Sequence, residues 1–171
     1  MTTIQVELPD ADATRAFGAA LAGVLRAGDL VVLTGELGAG KTTLAQGLGA
    51  GLGVRGQVAS PTFIIARVHP SISGGPALVH VDAYRLTSLD EVEALDLDAS
   101  LDESVTVVEW GAGLVESLAG DRLDVTIHRP HGAEGGDSFL DDDDDAEAGV
   151  RHVTVTAVGD RWAGVELPAA P

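Results

Sequence analysis

Apolar and polar positions along the chain fall into short periodic blocks separated by Gly, Pro and Asp. Ile4 to Leu8 alternates and predicts a strand. A helix follows, beginning near Asp10 or Asp12, either of which can cap its first amides. Phe17, Ala20, Leu21, Val24 and Leu25 are spaced to form one apolar face, and Gly28 is placed to end the helix. Leu30 to Thr34 reads as a short buried strand, Gly35 to Gly40 as a glycine-rich turn, and Lys41 to Leu52 as a second helix.

Further on, Phe63 to Val68 predicts a strand and Pro70 to Pro76 a loop. Ala77 to Val81 is an apolar run that ends at Asp82. Ser88 and Glu91 have capping-box spacing and predict a helix over Leu89 to Leu95. Val105 to Val108 is a second apolar run ending in an acid, Glu109. Leu123 to His128 and Val150 to Val158 alternate as antiparallel partners do, and Trp162 to Leu167 is a candidate last strand. Pro130 to Gly149, rich in Gly and Asp, reads as a mobile loop.

With 171 residues, 45% of them apolar, the expectation is one domain, residues 1–171, with a sizeable core. The absence of cysteine excludes disulfides, a thiol nucleophile and thiolate zinc sites, and fits a reducing cytoplasm. No apolar stretch approaches the roughly 20 residues that span a bilayer, and no basic, apolar signal sequence opens the chain, so a soluble cytoplasmic protein is expected. The net charge of −17 opposes tight, unassisted binding to nucleic acid. That charge is unevenly placed. Glu134, Asp137, Asp141 to Asp145 and Glu147 supply eight carboxylates, nearly half of the net value, within the predicted loop. Five contiguous aspartates cannot converge as the spaced ligands of a calcium loop do, so a solvated acidic segment is the reading. The ten cations are nine arginines and one lysine, Lys41.

Lys41 sits in the one stretch whose pattern carries chemistry. Gly35-Glu36-Leu37-Gly38-Ala39-Gly40-Lys41-Thr42 matches GxxxxGK[ST], the phosphate-binding P-loop, between a predicted strand and a predicted helix. A polyphosphate needs several backbone N–H donors converging without steric obstruction, and Gly38, Ala39 and Gly40 keep the loop open. Lys41 can place a point charge on the β- and γ-phosphates, Thr42 can ligate Mg²⁺, and Thr43 can reach the α-phosphate. A glycine-rich turn matching by accident is the alternative in a chain with 22 glycines. The strand before the loop and the helix after it argue against that.

Such a site needs an acid at the end of a neighbouring strand, and Asp82 and Glu109 both qualify. One can contact the metal while the other orients its waters or activates the attacking water. ATP is favoured over GTP, because a guanine-reading Asn/Thr-Lys-x-Asp element needs a second lysine. These features predict an α/β P-loop NTPase fold with a mixed sheet flanked by helices, parallel around the nucleotide and antiparallel towards the C-terminus.

The motifs resemble the TsaE (YjeE) family, the ATPase required to make the threonylcarbamoyladenosine modification of tRNA. Four blocks stand in the family's order: LTGELGAGKTTLAQGL, SPTF at Ser60 to Phe63, HVDAYRL at His80 to Leu86 and VVEW at Val107 to Trp110. The resemblance implies that Thr62 lies in a switch-like segment near the γ-phosphate. It makes Asp82 the catalytic or metal-orienting acid and Glu109 a contributor to Mg²⁺ binding, with Trp110 close to the nucleotide. Ala11 and Thr14 match the region that contacts adenine, and Arg151 matches an arginine that reaches the nucleotide. It also implies two partners, TsaD and TsaB, which bind tRNA and carry out the transfer chemistry while this subunit hydrolyses ATP. The segment Pro130 to Gly149 departs from the family by being longer and more acidic.

Plainer roles compete for several of these residues. Trp110 and Tyr84 are aromatic residues suited to a core, Thr62 can start a strand after Pro61, and His80 reads as structural. A small-molecule kinase would also fit this length and loop, but it needs an arginine-bearing lid, and the long late loop here is acidic. A nucleotide-sensing module that does not hydrolyse ATP leaves Asp82 and Glu109 without a purpose.

Overall fold

A computed structural model describes residues 1–59, 65–130 and 149–171. One seven-stranded mixed sheet organises them, in the order β1-β7-β6-β2-β5-β4-β3. The strands are β1 (Thr2–Leu8), β2 (Leu30–Gly35), β3 (Ala66–His69), β4 (Ala77–Asp82), β5 (Ser104–Glu109), β6 (Arg122–His128) and β7 (Arg151–Val158). β4, β5, β2 and β6 run parallel, and their apolar runs are covered on both faces, as parallel strands require. β7 pairs antiparallel with both β6 and β1, and β3 pairs antiparallel with β4. The mixed sheet expected from the sequence is therefore present, with its parallel part at the centre. Residues 60–64, which hold all of SPTF with Thr62 and the first two positions of the strand predicted over Phe63 to Val68, lie outside the described residues, as does the acidic segment at 131–148.

Helix α1 (Ala11–Ala22) is capped by Asp10, whose carboxylate accepts from the Ala13 amide at 2.8 Å, so Asp10 rather than Asp12 starts it. It ends at Gly23, one turn before the predicted Gly28. Val24 and Leu25 continue the apolar period but lie in the turn beyond the helix, and Ala20 is exposed. The buried face is instead Ala11, Thr14, Phe17, Gly18, Leu21 and Ala22, because the neighbour it must meet is helix α2 (Lys41–Leu52). The two helices approach through glycines. A Cβ on Gly47 would stand within van der Waals overlap of the Arg15 carbonyl oxygen, and one on Gly51 would stand 2.6 Å from the Ala22 methyl. Small residues at the crossing thus fix α1 against the helix that carries the P-loop motif.

Helix α3 (Leu89–Ala94) has the predicted cap, with Ser88 Oγ accepting from the Glu91 amide and the Glu91 carboxylate accepting from the Thr87 amide. A short α4 (Asp98–Leu101), not predicted, leads into β5. The expected strand at Trp162 to Leu167 is not formed. β7 already has a neighbour on each edge, so Asp160–Trp162 instead makes a 3-10 turn that buries the Trp162 ring in the core. Arg161 in that turn forms a buried two-pronged pair with Asp29, 2.9 and 3.0 Å, ahead of β2.

Candidate functional site

Parallel strands end together, and here β2, β4 and β5 deliver their C-terminal residues to one rim. Leu33 in β2 stands opposite Glu109 in β5, and Asp82 in β4 stands opposite Glu109 on its other side. The glycine-rich turn leaves β2 at the same rim and enters α2. A pocket of about 260 Å³ opens there. Gly38, Gly40, Lys41, Thr42 and Thr43 line one side, and Asp82, Glu109 and Trp110 line the other. Leu37, Tyr84 and Arg151 complete the wall.

The loop has the conformation phosphate binding demands. Gly38 and Gly40 have φ of +78° and +112°, values open to glycine and strained for other residues, and a Cβ on Gly38 would meet only open space. No side chain caps the α2 N-terminus, so its first amides face the pocket. Ala39 is the exception within the loop: its methyl is buried in the core and its amide closes a turn on the Glu36 carbonyl.

Lys41 is 5% exposed and donates to the carbonyls of Gly35 and Glu36, each at 2.8 Å. Burial pushes its ammonium below the ordinary 10.5, while the charges of Glu109 and Asp82 pull it back up. Trp110 lies over the ammonium, and Tyr84 meets the Trp110 ring edge-on with centroids 5.2 Å apart. This ring placement requires an unusual backbone. Trp110 has φ +61°, a left-handed conformation costly for a bulky residue, held by its amide donating to the Leu33 carbonyl. Neither aromatic is a core residue: Tyr84 is 66% exposed.

Glu109 is 3% exposed, and its two oxygens are used separately. Oε1 accepts the Thr42 hydroxyl at 3.1 Å and Oε2 accepts from His80 Nε2 at 2.5 Å. Asp82 turns one oxygen to the Tyr84 amide. Among the described residues no three His, Cys, Asp or Glu converge as a dedicated metal cage. Thr42, Glu109 and Asp82 offer hard oxygen donors beside a phosphate loop, which is the incomplete set that suits Mg²⁺ shared with phosphates and water.

Of the other expected site residues, Ala11 and Thr14 do not line the pocket. They are buried in α1, and the Thr14 methyl stands behind Gly40, with its hydroxyl donating to the Asp10 carbonyl. Glu36 reaches the site through its carbonyl. Arg151, 1% exposed at the start of β7, lies across Gly40 and donates to the Gly149 carbonyl at 2.6 Å. His80, which reads as structural in the sequence, stands behind the site through its contact with Glu109. The signal was available in its spacing, since strand positions two apart share a face and His80 stands two before Asp82.

Comparison with known proteins identifies the family of the chain. Residues 8–135 match the family model described as "Threonylcarbamoyl adenosine biosynthesis protein TsaE". The chain is 60% identical over 154 residues to a tRNA threonylcarbamoyladenosine biosynthesis protein TsaE of Streptomyces coelicolor, covering 90% of this chain and 96% of that one. It is 37% identical over 150 residues to the Bacillus subtilis protein of the same name, covering 87% and 82%. The crystal structure of Bacillus subtilis YdiB superposes with a TM-score of 0.66 at 29% identity, covering 95% of this chain and 90% of that one. With the family's match running from the end of β1 through the phosphate loop and the strand-end acids, the chain belongs to the TsaE family.

Proposed function

We propose that the chain binds ATP with Mg²⁺ in the Lys41 pocket, hydrolyses it slowly by itself, and acts as a nucleotide switch on a TsaD/TsaB complex during threonylcarbamoyladenosine modification of tRNA. The observation that carries the reading is the meeting of an unobstructed loop at a helix N-terminus, a buried lysine and the Thr42–Glu109 pair in one pocket. Loop amides and Lys41 bind the phosphates, and Arg151 adds charge behind Gly40. Thr42 and Glu109 hold the cation, which when bound neutralises charge on the phosphates. Asp82, on the adjacent strand, orients water for attack.

The tRNA side of the proposal rests on family membership and on what its relatives are named for. A net charge of −17 leaves tRNA contact to the partners. Slow turnover alone follows from an open mouth, where Leu37 is 88% exposed next to exposed Tyr84 and a partner surface would complete the enclosure. The test is calorimetric titration with ATP and GTP in Mg²⁺, followed by ATP turnover with and without TsaD and TsaB. Binding of ATP in preference to GTP, and turnover that rises with the partners, is the expected result. Absence of ATP binding, or fast turnover by the isolated chain, overturns it.

A further inference from the structure

Glu109 is held from behind by a residue that has no other polar contact among those described. His80 is fully buried, its Nε2 stands 2.5 Å from Glu109 Oε2, and its Nδ1 has no partner among the described residues. The two do not face each other directly, since His80 stands opposite Val107 and Glu109 opposite Asp82. The imidazole therefore reaches diagonally, along the face of β4 that also carries Leu78 and packs toward α2.

A buried ring nitrogen without a partner is a cost, and an apolar side chain would fill the same place without it. What offsets that cost is the single bond to Glu109. A glutamate has three side-chain torsions and can swing. With Oε2 tied to His80 in the core, Oε1 is left aimed at the Thr42 hydroxyl. At 3% exposure Glu109 has little solvent contact with which to replace the tie.

We propose that His80 is a positioning residue for Glu109, donating from Nε2 to hold the carboxylate toward Thr42 and so setting the affinity of the site for a divalent cation. The inference rests on the Mg²⁺–ATP reading above. It predicts that loss of the donor weakens the cation dependence of ATP binding more than ATP binding itself.

The experiment measures ATP affinity calorimetrically across a range of Mg²⁺ concentrations. For His80→Leu the half-saturating Mg²⁺ should rise roughly tenfold or more, the range typical for removing a group that orients a metal ligand, with a smaller loss in metal-free buffer. His80→Gln places an amide N–H where Nε2 stands and should recover much of the dependence. His80→Asn places it where Nδ1 stands and should not. An unchanged Mg²⁺ profile in His80→Leu, equal losses with and without Mg²⁺, or equal recovery by Asn and Gln would each overturn the proposal. A wild-type protein that binds Mg²⁺–ATP while the variants show no selective loss sinks this inference alone; a wild-type protein that binds no ATP sinks the reading beneath it as well. Should His80→Leu fail to fold, nitrogen-15 spectra of the histidine-labelled wild-type protein decide: Nε2 of His80 should carry the proton, and a bare Nε2 overturns the proposal.

Discussion

The Lys41 ammonium lies 4.2 Å from the centroid of the Trp110 ring. The only lysine in the chain is thereby stacked on one of its two tryptophans, at the mouth of the phosphate loop. A cation over an indole face is attracted by the ring's quadrupole, and a shift of that cation changes the electrostatic field at the indole.

Trp110 emission should therefore report ATP binding. Trp162→Phe should preserve an ATP-dependent emission change and Trp110→Phe should abolish it. Lys41→Ala should lower ATP affinity by about ten- to a hundredfold, the value of charge-assisted hydrogen bonds worth about 1.5–3 kcal/mol. Full affinity in that variant would contradict the assignment of the loop.

Gly47→Ala tests the helix crossing. The added methyl has no room against the Arg15 carbonyl oxygen, so α1 must move off α2, at about 1–3 kcal/mol or more. Urea denaturation should show that loss. ATP affinity should fall too, because α1 carries Thr14 to the back of Gly40.

Arg161→Met should destabilise by about 3–5 kcal/mol, since it strands the Asp29 carboxylate in a site closed to water. The double variant Asp29→Asn, Arg161→Met should lose less. Asn keeps an acceptor for the Arg26 amide, which Asp29 now serves at 2.8 Å, and leaves no unpaired charge. Equal losses for the single and double variants would show that charge burial is not the cause.

His69 gives a pH dependence of defined sign. Burial pushes its imidazole below the ordinary 6.5, against the opposing hydrogen bond from Nδ1 to the Arg55 carbonyl, and the charges of His80 and Arg67 lower it further. The unfolded chain then binds a proton that the folded one refuses, so this group's share of stability declines as pH falls from 6.5 through the lowered folded value. His69→Phe should flatten the stability profile over that window relative to wild type, measured by denaturation at a series of pH values.

The phosphate loop and the two acids were legible because their chemistry is written locally. Gly38, Gly40 and Lys41 state a backbone shape and a charge, and Asp82 and Glu109 each close an apolar run. What depended on distant partners was not legible. Val24 and Leu25 keep the helical period, yet α1 stops before them because its buried face is set by α2. Nothing in the sequence marks Gly47 and Gly51 out within their helix, and only the crossing shows that they are where Arg15 and Ala22 come close. Trp162 to Leu167 has strand composition, but it follows β7, whose two edges are already taken by β1 and β6. The spacing of His80 from Asp82 puts the two on one strand face, but that Glu109 of the facing strand lies within reach of the imidazole is a fact of the pairing alone.

Lys41 already holds two carbonyls of its own loop. A phosphate entering the pocket must outbid those carbonyls, so the free energy of capture is the difference between two well-served positions of one ammonium rather than the full strength of either. Affinity is thereby capped, and departure is assisted, because the loop is ready to take the lysine back. A site arranged in this way favours turnover of its occupancy over long retention, which is the kinetic habit the proposed switch function requires.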